Sequence, residues 1–122
     1  MQPNPVRQKL AAGEIVMGMM HFSASPMMVE VMASAGLDFF IIDFEHSPID
    51  LAMAAHLVRA GDAAGIAPLL RIPEVNAGLV KKVLNMGVQG IVPGGASGEL
   101  RPARLAGVPG AHESRAADYS AD

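Results

Sequence analysis

The chain has 122 residues, 51% hydrophobic and 17% charged, with a formal net charge of −3. That composition is globular, fits one small domain and lacks the clustered basic face of a nucleic-acid binder. Aromatics at 4% with no Trp argue against base-stacking platforms, and the lack of Cys excludes disulfides, thiolate zinc sites and a cysteine nucleophile.

The lack of Cys also fits a cytoplasmic protein, which is the expected location. Arg7 and Lys9 precede an apolar stretch, but Gly18 breaks the run Ile15-Val16-Met17, and Pro3, Pro5 and Glu14 are misplaced for a leader. The N-terminus therefore reads as mature protein. No segment approaches the ~20 apolar residues of a membrane span, so no membrane partner is expected.

Residues 4–12 read as a short helix stopped by Gly13. Residues 14–22 are apolar and end in a polar cluster, the signal of a buried strand. Ser25 is a natural N-cap with Pro26 at the first helical position, and residues 27–35 follow as a helix closed by Gly36. Residues 38–46 open as a continuous β-rich apolar run, the pattern of a parallel strand buried on both faces, and end in Asp43, Glu45 and His46. Asp50 caps a helix over 51–64, in which Leu51, Ala54, Ala55 and Val58 recur at helical spacing. Gly65 ends it. Residues 67–72 make a third strand. Asn76 caps a third linking helix with Val80, Val83, Leu84 and Gly87 on one side and Lys81 and Lys82 outside. Residues 90–93 make a fourth strand. Met17, Met19, Met20, Met27, Met28 and Met32 crowd the first strand–helix unit, where core packing is their expected role.

Four strands alternating with three linking helices argue an α/β fold with a parallel sheet and right-handed crossovers. The character changes after Pro93. Residues 94–122 hold five Gly and seven Ala, their large apolar residues are only Leu100, Leu105, Val108 and Tyr119, and no period survives. This stretch is expected to be irregular or disordered.

In parallel α/β folds, functional groups collect at the carboxyl ends of strands. Three ends here are polar: His21 and Ser23; Asp43, Glu45 and His46; and Arg71. Asp43 and Glu45, two apart, fall on one side of a strand and could hold a divalent metal directly or through water. The alternative is a solvated strand end whose carboxylates cap the next helix. His46 suits a general base. Arg71 suits an anionic oxygen, or a structural ion pair with Asp43 or Glu45. His21 and Ser23 more often simply terminate a strand, and His56 is expected on a solvent-facing helix side.

The run Gly36-Leu37-Asp38-Phe39-Phe40-Ile41-Ile42-Asp43-Phe44-Glu45-His46-Ser47-Pro48 resembles the second-strand motif of the HpcH/HpaI aldolases. Pro68-Leu69-Leu70-Arg71-Ile72-Pro73 and Val83-Leu84-Asn85-Met86-Gly87-Val88-Gln89-Gly90-Ile91-Val92-Pro93 agree in order and spacing, as do Leu10-Ala11-Ala12-Gly13 and Gly18. The resemblance covers residues 7–93. It implies a (β/α)8 TIM barrel, truncated here to its first four strands and three linking helices over residues 1–93, with 94–122 as an irregular tail. It implies an aldehyde-lyase, a carbon–carbon lyase that cleaves 4-hydroxy-2-oxo acids to pyruvate and an aldehyde. A divalent metal (Mg, Mn or Co) serves the family as Lewis acid.

By the same resemblance His46 is the catalytic base, Arg71 steadies the pyruvate carbonyl and enolate, and Asp43 and Glu45 support them around metal-bound water. Asn85 falls where many members have an Asp that supports the histidine, and an amide lacks that negative charge. The family's metal ligands lie on strands five and six, so no metal ligand is assigned in this chain and tight metal binding is not expected of it. A shift of reading frame after Val92 or Pro93 would account for the break. The expected partners are a small 2-oxo acid and an aldehyde, with self-association through exposed sheet edges. The alternatives are a non-catalytic half-barrel fragment and a 2-oxo-acid-binding module without turnover. A phosphoenolpyruvate mutase or citrate-lyase relative is less favoured by the Glu45-His46 pair with Arg71.

Overall fold

The computed structural model describes residues 4–94. Its elements run α1 (Pro5–Ala11), β1 (Gly18–His21), α2 (Pro26–Ser34), β2 (Phe39–Asp43), α3 (Leu51–Ala64), β3 (Ala67–Ile72), α4 (Ala77–Met86) and β4 (Gly90–Pro93). The strands form one sheet in the order β1-β2-β3-β4, and every pairing is parallel. The expected alternation of strands and linking helices is present. The irregular tail expected beyond Pro93 lies, from residue 95 onward, outside the described residues.

Local chemistry sets the boundaries. The side chains of Asn4, Ser25, Asp50 and Asn76 each accept from the backbone N–H three residues on, fixing the starts of the four helices. α3 and α4 end on Gly65 and Gly87 in the left-handed conformation, which other residues adopt at a cost. β1 is shorter than expected. At Met17 the ladder frays: its carbonyl accepts from the N–H groups of Asp38 at 2.7 Å and Phe39 at 3.4 Å, and its N–H donates to Asp38 Oδ2 at 2.8 Å. A side chain thus takes a donor that a strand would have used.

Register and alternation separate two faces of the sheet. Phe40, Ile42, Leu70 and Ile72 project to one face and are fully buried with Val29, Ala54, Leu57, Val58 and Val83 from the helices. With sequential strand order and right-handed crossovers, the linking helices all lie on that face. The opposite face carries Phe39, Ile41, Asp43, Leu69, Arg71 and Val92, and its apolar members are only half-buried. In a closed barrel this would be the interior face.

Two packing expectations are corrected. Of the methionines in the first unit, Met32 is in the core and Met20 is half-buried, whereas Met17, Met19, Met27 and Met28 are exposed. They lie on edge strand β1, its approach and the adjoining helix α2, where no further strand follows among the described residues. On α4 the inward stripe is Val83 with Leu79, Val80 and Met86, while Leu84 is exposed. Lys81, Lys82 and His56 are exposed as expected.

Candidate functional site

β2 ends because Asp43 turns back on its own chain. Its Oδ1 accepts from the N–H groups of Glu45 at 2.8 Å and His46 at 3.2 Å, and the Ser47 hydroxyl donates to its carbonyl. An Asx-type turn of this kind lifts the next residues out of the ladder and over the rim of the sheet. One residue therefore both stops the strand and delivers Glu45 and His46 to its carboxyl end.

β3 supplies the partner. Asp43 and Arg71 are register partners, and Phe44 N–H donates to the Arg71 carbonyl at 3.0 Å. Arg71 Nε donates to Asp43 Oδ1 at 3.2 Å and Nη2 donates to Oδ2 at 2.7 Å, a two-pronged grip that orients the guanidinium. Nε also lies 3.4 Å from Glu45 Oε2, and Nη2 contacts His46 Nδ1. Guanidinium has no acceptor, so Nδ1 accepts and the ring proton sits on Nε2, which is 4.0 Å from Glu45 Oε1.

The Asp43 side chain is wholly buried, whereas the Arg71 side chain is 25% exposed and that of His46 is 61% exposed. Burial alone would push the Asp43 carboxyl up. The Arg71 hydrogen bond and the two backbone N–H groups outweigh it and hold the carboxyl below its usual range. Asp43 in turn holds the Arg71 guanidinium firmly charged. The result is a fixed positive charge beside an imidazole with a water-accessible face.

The structure brings Asp43, Glu45, His46 and Arg71 together and leaves Asn85 apart. Asn85 is exposed in the last turn of α4, which leads into the amino end of β4, so it lies towards the opposite end of the strands from His46. His21 is on the other face: its partner in register is the helix-facing Ile42, and its ring stands edge-on to Phe40 at 6.0 Å. Gly94 carries a role that sequence reasoning passed over. A Cβ there would fall 2.3 Å from Glu45 Oε2 and 2.8 Å from the Ile72 carbonyl oxygen, so only glycine lets the chain leave β4 over this cluster. Its position directly after a strand-ending proline was the available signal.

These residues do not fit a resident metal. Among the described residues no group of three or more His, Cys, Asp or Glu is placed to hold an ion. Both Asp43 oxygens are already taken by Arg71 and backbone donors.

Comparison with known proteins bears on the same residues. The HpcH/HpaI aldolase/citrate lyase family matches residues 17–93. A 4-hydroxy-4-methyl-2-oxoglutarate aldolase of Chaetomium globosum is 38% identical over 91 residues, covering 73% of this chain and 34% of that protein. A hydroxypyruvate/pyruvate aldolase of Cupriavidus necator is 34% identical over 89 residues, covering 73% and 33%. Among solved structures, an HpcH/HpaI aldolase from Desulfitobacterium hafniense superposes with a TM-score of 0.69 at 38% identity, covering 75% of this chain and 36% of that one. The citrate synthase SbnG gives 0.69 at 40% identity, covering 72% and 36%. The chain spans about a third of the length of these relatives, and its four-stranded sheet is laid out as the opening part of their barrel. No helix among the described residues is long and apolar enough to cross a membrane. By its matched sequence and its fold, the chain belongs to the HpcH/HpaI aldolase/citrate lyase family.

Proposed function

We propose that Asp43, Glu45, His46 and Arg71 form the proton-transfer and carbonyl-binding corner of an aldehyde-lyase site for 4-hydroxy-2-oxo acids. The observation that carries this reading is the meeting of His46 Nδ1 and Asp43 Oδ2 on one Arg71 nitrogen at the carboxyl ends of neighbouring strands. Relatives whose names specify aldolases of oxo acids support it.

In cleavage, His46 takes the proton of the C4 hydroxyl, the C3–C4 bond breaks, an aldehyde leaves, and the electron pair becomes the enolate of pyruvate. An Arg71 N–H stabilises the enolate oxygen, and a proton returned to C3 completes pyruvate. The Nδ1 lone pair is occupied by Arg71, so His46 becomes a base only as that guanidinium turns towards substrate. Asp43 and Glu45 are positioning residues: they keep the Arg71 charge at the rim.

The divalent ion implied by the family supplies Lewis-acid stabilisation when bound, but the described residues offer it no donor set. The proposal therefore has a second part: the 122-residue chain binds a 2-oxo acid without turning over. The test is thermal unfolding with and without pyruvate, in parallel with a pyruvate-release assay on a 4-hydroxy-2-oxo acid plus Mg or Mn. The expected result is stabilisation by pyruvate, loss of about tenfold in affinity (~1.4 kcal/mol) in Arg71→Lys, and no release. Pyruvate without effect on unfolding would refute the binding corner. Metal-dependent release abolished by His46→Asn would refute only the second part.

A further inference from the structure

Arg71 lies on β3 and His46 just beyond the end of β2, the two strands that are paired on both sides. The N–H donors of a guanidinium form two paired edges, with one further proton between them and the side-chain stem. Asp43 takes one edge, through Nε to Oδ1 at 3.2 Å and Nη2 to Oδ2 at 2.7 Å. Nε is also 3.4 Å from Glu45 Oε2. The other edge joins the second Nη2 proton to Nη1. That edge suits an incoming carboxylate or 2-oxo group, which it would hold through two parallel bonds. His46 Nδ1 sits on its Nη2 half.

The side chains in this contact differ in freedom. That of Asp43 is wholly buried and that of Arg71 is mostly so, whereas the His46 side chain is 61% exposed. The His46 backbone N–H is bonded to Asp43 Oδ1, so the backbone is anchored while the ring reaches into water. Asp43 holds the guanidinium, which turns only as far as that grip allows. When the two groups separate, the imidazole supplies most of the movement by rotating about its own side-chain bonds.

We propose that His46 is a latch on Arg71, an autoinhibitory contact that a 2-oxo acid displaces in order to bind. The inference rests on the reading of this cluster as a 2-oxo-acid corner. With the latch closed, Nδ1 and the ligand compete for the same Nη2 proton, and the latched fraction lowers the apparent affinity. Opening it also frees the Nδ1 lone pair, the condition for His46 to act as a base. Seating the acid and unmasking the base are then one event, and the base stays blocked until a ligand is present. Pyruvate separates such a latch from an ordinary ligand contact. It lacks the C4 hydroxyl that His46 would deprotonate, so deleting the imidazole removes a competitor and no partner.

The test is titration calorimetry of the 122-residue chain with pyruvate, with far-ultraviolet circular dichroism to confirm the folding of each variant. His46→Ala is expected to bind pyruvate about threefold to tenfold more tightly than the wild type, the worth of one hydrogen bond. The gain is expected to vanish in the Arg71→Lys background, because an ammonium offers no paired edge. In the wild type, pyruvate is expected to move the imidazole nitrogen resonance of His46, assigned by its loss in His46→Ala, towards that of an acceptor released to water. Equal or weaker binding by His46→Ala, with wild-type binding intact, would overturn the latch and leave the binding corner standing. A gain that persists in Arg71→Lys would also overturn it, since the ring would then act by bulk alone. Binding by neither the wild type nor His46→Ala would bring down the binding corner and the latch with it.

Discussion

Asp43 is wholly buried and charged, and its four hydrogen bonds explain how both are compatible. Asp43→Asn keeps the shape, removes the charge and leaves Arg71 with only the more distant Glu45 carboxylate as counter-charge. We expect a loss of about 3 kcal/mol in urea unfolding, at the low end for a broken buried pair because Arg71 keeps part of its side chain in water. The pH dependence has a definite sign. The folded-state pKa of Asp43 is depressed, so its contribution is full above the ordinary carboxylate value and is lost as pH falls through the depressed one. Asp43→Asn should flatten that acid limb. His21 acts earlier. Burial lowers its pKa and leaves Nε2 without a hydrogen-bond partner, so stability falls as pH drops below the ordinary histidine value of about 6.5 towards the depressed one. His21→Leu should remove this upper limb and raise stability at neutral pH by about 1 kcal/mol. The strand-end cluster was legible in the sequence because Asp43, Glu45, His46 and Arg71 follow apolar runs. The direction of His21 was not, because a polar residue closing a short strand does not reveal which face it takes until the register is known.

The same limit operates at the level of elements. The helices could be located to within a residue or two from their caps, since Asn4, Ser25, Asp50 and Asn76 act through bonds only three residues long. The start of β1 could not, because Asp38, twenty-one positions beyond Met17, decides it. The methionines were read as core because their chemistry suits it, yet exposure at an edge depends on which neighbours are present. Gly61 shows a packing demand inside a regular helix. In isolation, Gly→Ala in a helix interior gains about 1 kcal/mol. Here the new Cβ would fall 2.8 Å from Phe40 Cε1 and 3.0 Å from the Ile66 carbonyl oxygen. Overpacking costs about 1–3 kcal/mol, so the net change for Gly61→Ala should be destabilising, readable as a lower urea midpoint with an unchanged slope.

Across the whole molecule, burial is uneven. β2 and β3 are central and carry the fully buried Phe40, Ile42, Leu70 and Ile72. α1 buries no residue and is tied to the sheet by polar contacts, from Asn4 Nδ2 to the Gln89 carbonyl at 3.0 Å and from Lys9 to Asp38 at 2.5 Å. Exposed polar ties contribute little, so native-state hydrogen exchange should show α1 opening far more readily than β2 and β3. Equal protection of α1 and the central strands would contradict this ranking. The strand order has a consequence for synthesis. Each strand pairs with the strand made immediately before it, so every pairing closes a loop of about 20 to 30 residues, a modest entropic cost. Among the described strands, a growing chain can therefore add one strand–helix unit at a time as it leaves the ribosome, whereas the tie from Asn4 to Gln89 forms only after α4 has been made.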